Sequence, residues 1–282
     1  MEETKTETNI KVWMPDGTIE TYYRTATEQL KIAIIGPPKG GKSRLAATAP
    51  KKPIYFFNFD GRLAAVSGIK DVFGKEYLDD TNPGKATAWM NVETDMGMFE
   101  YEKLKGHPIP GTIVFDPTDY MCDRAMRKIC VDNPPSNQKN NYTRQLKIAG
   151  KVFNIPASYD AYNAETNLIG NMLARGVELG SDIIAIFHER AEEADESTPE
   201  KKKFTGKISV HPPRLSNLIP LFNELWRVMP SYKGDTYEVT TKPTSDFIGA
   251  TCLKIDGVES ADITQMIEKH KINLEKEKQN NG

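Results

Sequence analysis

Cysteine is scarce in this chain. Three occur in 282 residues, Cys122, Cys130 and Cys252, and no pair has C-x-x-C spacing. That excludes a zinc ribbon and a disulfide framework, and it fits a reduced, cytosolic protein. No run approaches the ~18 apolar residues that a membrane-spanning helix needs, so no membrane contact is expected. An excess of one charge sign is also missing: 37 Lys and Arg stand against 39 Asp and Glu, a net charge of −2. Nothing global therefore advertises a polyanionic partner, and any such contact has to be a local patch. There is no internal repeat. The first residues, MEETKTETN, are polar and acidic, unlike a signal peptide.

What is present supports a sizeable core. Hydrophobic residues make up 38% of the chain, and its length suits one α/β domain with additions or two small domains. Its most specific stretch is Gly36-Pro37-Pro38-Lys39-Gly40-Gly41-Lys42-Ser43, which fits G-x-x-x-x-G-K-[ST], the phosphate-cradling P-loop. The context is correct. Lys31 to Ile35 is a short apolar strand, and Ser43 to Ala49 opens a helix that Pro50 stops. Residues 36–44, Arg44 included, would surround the phosphates, with the N–H groups of the non-proline residues and the helix start facing them. Lys42 would reach the β- and γ-phosphates, and the Ser43 hydroxyl would hold Mg²⁺.

The remaining chain falls into order around this motif. Lys11 to Tyr23 reads as a hairpin turning at Asp16-Gly17. Pro53 to Phe59 is a second buried strand that ends in Asp60-Gly61, where ligands bind in open α/β sheets. Met96 to Leu104 predicts a helix. Thr112 to Phe115 is a third apolar strand ending in Asp116, the Walker B pattern of a carboxylate that holds Mg²⁺. Thr118 to Val131 predicts a helix with Cys122 and Cys130 on its apolar face and Arg124, Arg127 and Lys128 on a solvated one. Asn133 to Tyr142 reads as a polar loop in a locally basic region. Ser158 to Leu179 is the clearest helix, capped by Ser158. Asp182 to Phe187 is a fourth buried strand that delivers His188 to the sheet edge, where P-loop ATPases place a γ-phosphate sensor. The charged stretch 191–206 reads as a mobile loop or a flexible hairpin leaving that edge, and Lys201, Lys202, Lys203 and Lys207 are candidate contacts to nucleic-acid phosphates. Leu225 to Met229, Tyr237 to Thr241 and Thr251 to Ile255 read as later strands. Ala261 to Lys278 reads as a charged helix that packs weakly or mediates a contact.

The order strand–P-loop–helix, strand ending in an acid, strand ending in Walker B Asp, long helix, strand ending in a polar sensor resembles the RecA-like ATPase core. More narrowly, IIGPPKGGKS, FFNFDGRLAAV, TIVFDPTDY and DIIAIFHER resemble a phage-encoded nucleotide-binding family with that core. That family includes recombination and single-strand annealing ATPases found beside single-stranded-DNA-binding proteins. The resemblance implies an α/β fold: a RecA-like P-loop NTPase core with a central, mostly parallel sheet over residues 31–258. An N-terminal tail and β-hairpin (1–30) and a C-terminal helix and tail (259–282) flank it. It implies ATP and Mg²⁺ as ligands, single-stranded DNA as partner, a homo-oligomeric ring or filament, and the cytoplasm, that of the host for a phage protein. Relatives place a water-activating Glu at the position of Asp60, which makes Asp60 the first candidate for general base and Asp119 the second. Lys207 and Arg214 are candidates for a basic residue donated between subunits. No N-K-x-D sequence is present, which favours ATP over GTP. The competing reading is an ATP-dependent regulator or assembly factor whose partner is a protein.

Overall fold

The structure is a computed structural model of the chain. It describes residues 8–13, 19–24, 29–80, 82, 84–135, 142–148, 151–191, 204–208, 218–231, 236–244, 247, 249–255 and 257–280. The first strands, β1 (Thr8–Trp13) and β2 (Ile19–Arg24), pair antiparallel as the sequence predicts, and the Asp16-Gly17 turn lies outside the described residues. There follow β3 (Lys31–Gly36), α1 (Lys42–Ala46), β4 (Ile54–Asn58), a 3₁₀ turn (Leu63–Val66), β5 (Val72–Glu76), α2 (Thr87–Leu104), β6 (Thr112–Asp116) and α3 (Thr118–Asp132). The second half carries β7 (Thr143–Ile148), β8 (Lys151–Pro156), α4 (Tyr159–Glu178), β9 (Asp182–Ala191), β10 (Phe204–Ile208), β11 (Glu224–Pro230), β12 (Tyr237–Thr240), β13 (Val258–Ser260) and α5 (Ile263–Asn280).

The central sheet runs β13-β12-β11-β3-β9-β6-β4-β5, with β10 paired to β9. From β11 to β5 every neighbour is parallel, while β12, β13 and β10 are antiparallel additions. The fold is thus an α/β, mostly parallel sheet with extra antiparallel strands. Parallel strands covered on both faces read as continuous apolar runs, and KIAII, IYFF, TIVF and DIIAIF are such runs. Successive side chains then divide between two cores. Ala33, Ile35, Tyr55, Phe57, Phe115 and Phe187 pack on α2, α3 and α4. Ile32, Ile34, Phe56, Val114, Ile186 and Trp226 pack on α1 and α5.

Several elements differ from the sequence expectation. Helix α2 begins at Thr87, well before Met96, because Trp89, Val92, Met96 and Phe99 form one buried stripe that polar neighbours dilute in the sequence. Past the polar loop, Thr143–Ile148 and Lys151–Pro156 pair as the β7–β8 ribbon. Arg124 and Arg127 are not merely solvated. Arg124 donates to the Phe59 carbonyl at 3.2 Å, and Arg127 Nε to that of Lys85 at 2.8 Å, tying α3 to the chain beyond β4 and β5. Ser158 sits at the start of α4, but its side chain makes no capping hydrogen bond. Thr251 to Ile255 is not a strand. Cys252 N–H donates to Glu224 Oε1 and Leu253 N–H to Thr251 Oγ1, so side chains take donors that a ladder would need.

The C-terminal helix is not weakly packed. Ile263, Met266 and Ile267 are buried in the core beneath Trp226 and Val228, and Leu274 is half-buried. Thr48, just past α1, accepts from Ile263 N–H at 2.8 Å through Oγ1, and its carbonyl accepts from Thr264 Oγ1 at 2.6 Å. Without α5, that face of the sheet would lose most of its cover. Ile263→Ala is therefore expected to cost about 2–5 kcal/mol in urea unfolding, as for a core residue. A loss below about 0.5 kcal/mol would mean the helix is only a surface attachment.

Candidate functional site

The site lies at the carboxyl ends of the parallel strands. Strand β3 ends at Gly36, level with His188 on β9, and β4 ends at Asn58, level with Asp116 on β6. The Val228 carbonyl fills the space a Cβ would need at Gly36, so glycine is required for β11 to pack there. The loop then turns through a Gly40 N–H to Pro37 carbonyl bond of 3.0 Å. Gly41 has φ 82°, and the Tyr237 ring lies 2.8 Å from where its Cβ would stand. Two physical reasons therefore fix glycine here. Helix α1 is only five residues long, so the loop amides and Lys42, more than a helix dipole, supply the positive end.

Lys42 is buried. Its Nζ donates to the carbonyls of Gly36 at 3.0 Å and Pro37 at 2.7 Å. Burial pulls its pKa below the usual lysine value, and Asp116, Asp119, Glu189 and Asp60 oppose that fall. An ammonium bonded to carbonyls within reach of several acids can exchange those carbonyls for phosphate oxygens. Beneath the loop, Glu189 on β9 pairs with Arg227 on β11 at 2.5 Å, clamping the two strands that flank β3.

Ser43 and Asp116 meet directly: Oγ donates to Oδ2 at 2.6 Å. Burial pushes the Asp116 carboxyl up to about 6, and the Asp60 charge adds to the rise; the Ser43 hydroxyl, Lys42 and His188 pull it back. A hydroxyl and a carboxylate are hard oxygen ligands of the kind Mg²⁺ takes, with phosphate and water completing the octahedron. Among the described residues no cluster of three or more His, Cys, Asp or Glu could hold a metal by itself. The fit is thus to a Mg²⁺ shared with a nucleotide and held by Ser43 and Asp116.

Asp60 is anchored by Asn58 Nδ2 and by Arg62 N–H, each donating to Oδ1 at 3.1 Å. His188 Nδ1 bonds Asp119 Oδ2 at 2.8 Å, and the Tyr120 ring stands edge-on to the imidazole. A cavity of about 360 Å³ is lined by residues 39–44, Asp60, Arg62, Ala64, Ala65, Asp116, His188 and Tyr237. Asp60 thus opens on the cavity, whereas Asp119 supports His188 from behind. Gly36, Pro37 and Pro38 form the back of the turn and do not line it. More open hollows of about 620 and 730 Å³ exist elsewhere. Size does not mark the site; the convergence of lysine, hydroxyl, carboxylates and imidazole does.

Sequence reasoning missed Arg62, Ala64, Ala65 and Tyr237. Arg62 stands two residues after Asp60, and an acid–x–Arg pattern at a strand end was the available signal. Tyr237 comes from β12, and its hydroxyl reaches the Lys39 carbonyl at 3.4 Å across 198 residues, with no local signal. Lys201, Lys202, Lys203 and Arg214 lie outside the described residues, and Lys207 lies on β10.

A family described as AAA domain matches residues 28–246, and the chain belongs to it. It is a family of P-loop ATPases. Among solved structures, the chain is similar to a KaiC-like protein from the hyperthermophilic archaeon Pyrococcus horikoshii, at 9% identity and a TM-score of 0.39, covering 90% of this chain and 99% of that one. It is also similar to EssC (ATPases 2 and 3) from Geobacillus thermodenitrificans, at 12% identity and a TM-score of 0.34, covering 98% of this chain and 50% of that one. No curated protein matches the sequence. Among the described residues no helix is long and apolar enough to cross a membrane.

The raised Asp116 pKa has a direct consequence for stability. Between about pH 4 and about 6 the folded chain keeps a proton that the unfolded chain has lost, so rising pH removes stability through this group. In EDTA and without nucleotide, Asp116→Asn is expected to be more stable than the parent above pH ~6, by up to about 3 kcal/mol, with no gain below pH ~4. Urea unfolding at a series of pH values measures this; a pH-independent difference would refute it.

Proposed function

We propose that this ATPase hydrolyses Mg-ATP at the P-loop cavity and couples the turnover to single-stranded DNA. The Ser43–Asp116 contact, made within the cavity that holds Lys42, Asp60 and His188, carries the reading. Lys42 would bind the β- and γ-phosphate oxygens. Mg²⁺, held by Ser43 and Asp116, supplies neutralisation of phosphate charge when bound. Asp60 opens on the cavity and is the general base. It accepts a proton as the water oxygen bonds to the γ-phosphorus, and the electrons of the broken P–O bond stay on ADP. His188, oriented by Asp119, leaves Nε2 for the γ-phosphate, so the state of the nucleotide is felt on β9.

The DNA part rests on where β9 leads. In sequence, β9 continues past His188 to Ala191, the segment with Lys201, Lys202 and Lys203 comes next, and β10 with Lys207 follows and pairs with β9. One observation favours the second reading, a slowly turning over regulator with a protein partner. Asp60 is shorter than the glutamate of relatives and is held by Asn58 and Arg62.

Lys42→Ala is expected to abolish measurable ATP binding in a fluorescent-nucleotide titration; normal binding would overturn the site assignment. Single-stranded DNA is expected to stimulate turnover. Replacing Lys201, Lys202 and Lys203 by Ala should lower the salt slope of DNA binding by about 2. Flat turnover and no DNA binding at low salt would favour the protein-partner reading.

A further inference from the structure

Charges of both signs line the cavity. Asp60 and Asp116 both open on it, and a triphosphate would bring several further charges to the same place. Lys39, Lys42 and Arg44 all belong to one chain segment, the P-loop and the start of α1. Arg62 is the arginine of the cavity wall that comes from elsewhere, from the turn after β4.

Its backbone and its side chain are held very differently. Asn58, itself buried, accepts from Gly61 N–H at 2.9 Å and from Arg62 N–H at 3.1 Å, and Asp60 Oδ1 accepts from the same Arg62 N–H. The turn is therefore fixed. The side chain is 70% exposed, and its ion pair among the described residues is a long contact, Nε to Asp60 Oδ2 at 3.7 Å. Such an exposed, poorly aligned pair is weak and is easily exchanged for a better anion. A phosphoryl group in transfer is that anion: its charge spreads over equatorial oxygens, and a guanidinium fork matches them.

We propose that Arg62 is the γ-phosphate cation of this site, leaving Asp60 when a triphosphate enters and so freeing Asp60 to take the proton of the attacking water. The proposal rests on the ATPase reading above. The water oxygen bonds to the γ-phosphorus, the bond to the β–γ bridging oxygen breaks with its electron pair remaining on ADP, and the water proton passes to Asp60. Arg62 moves no proton. It neutralises the charge on the transferring group and withdraws from the base the partner that blunts it. Arg62 is thus a residue that distinguishes triphosphate from diphosphate.

The test compares the full-length parent, Arg62→Ala and Arg62→Lys for affinity to Mg-ADP, affinity to the non-hydrolysable imido analogue of Mg-ATP, and single-turnover hydrolysis. Arg62→Ala is expected to bind ADP within about threefold of the parent but the analogue about tenfold or more weakly. Its turnover is expected to fall about 100-fold or more. Guanidinium chloride, but not an equal concentration of potassium chloride, should restore turnover to Arg62→Ala. Lysine, a point charge without the fork, should recover part of the affinity and little of the rate. An unchanged ratio of analogue to ADP affinity in Arg62→Ala overturns the proposal, as does an equal loss of both, which would mark a structural residue. A parent that turns over no ATP would instead sink the ATPase reading and leave the affinity ratio to judge Arg62.

Discussion

Ser43 and Asp116 lie 2.6 Å apart although β3, which leads into the P-loop, and β6, which ends in Asp116, are not neighbours. Strand β9 runs between β3 and β6, so the contact spans the sheet edge rather than one ladder. It forms because β6 stops at Asp116, two residues short of the level of the Gly36–His188 pair, and because the P-loop turns back over the edge. The parallel registers set the first condition, bringing Gly36 beside His188 and Phe115 beside Ala185. Glycine at 36 and 41 sets the second, because β11 and Tyr237 occupy the space of a side chain at each. The remaining cavity groups are placed by the same edge.

That edge is electrostatically expensive. A buried lysine has its pKa lowered by desolvation, and a buried carboxyl has its pKa raised for the same reason. The fold tolerates the cost because two large apolar cores sandwich the sheet, and because Glu189–Arg227 ties β9 to β11 beneath the loop. Strain in charge is concentrated where ligands would relieve it, and the stabilising contacts are placed one layer away.

The cover of the sheet is distributed unevenly. Three long helices protect one face, and on the other the short α1 leaves much of the apolar surface to α5. Thr48 bonds both the N–H of Ile263 and the hydroxyl of Thr264, so the end of the P-loop helix is held by the last helix of the described chain. The position of the phosphate loop thus depends on a segment more than 200 residues away in sequence.

Local chemistry made most of the parallel core legible. The P-loop, the apolar runs before Asp60, Asp116 and His188, and the apolar face bearing Cys122 are all written within a few residues of one another, so periodicity and motif spacing suffice to find them. Helix α2 was only half legible, because its buried stripe is interrupted by Asn91, Glu93, Thr94 and Asp95. The strand 258–260 has no signal in the sequence, whereas 251–255 reads as a strand although the Glu224 carboxylate and Thr251 hydroxyl take its backbone donors. Sequence by itself determined which residues face the cores and which stand at strand ends, since those depend on polarity and a period of two. The tertiary structure alone decided that Asp119 serves His188 while Asp60 opens on the cavity, that Arg62 and Tyr237 join the wall, and that α5 is core. Each of these is a meeting of groups distant along the chain or turned by a fixed backbone, and no local pattern encodes such a meeting.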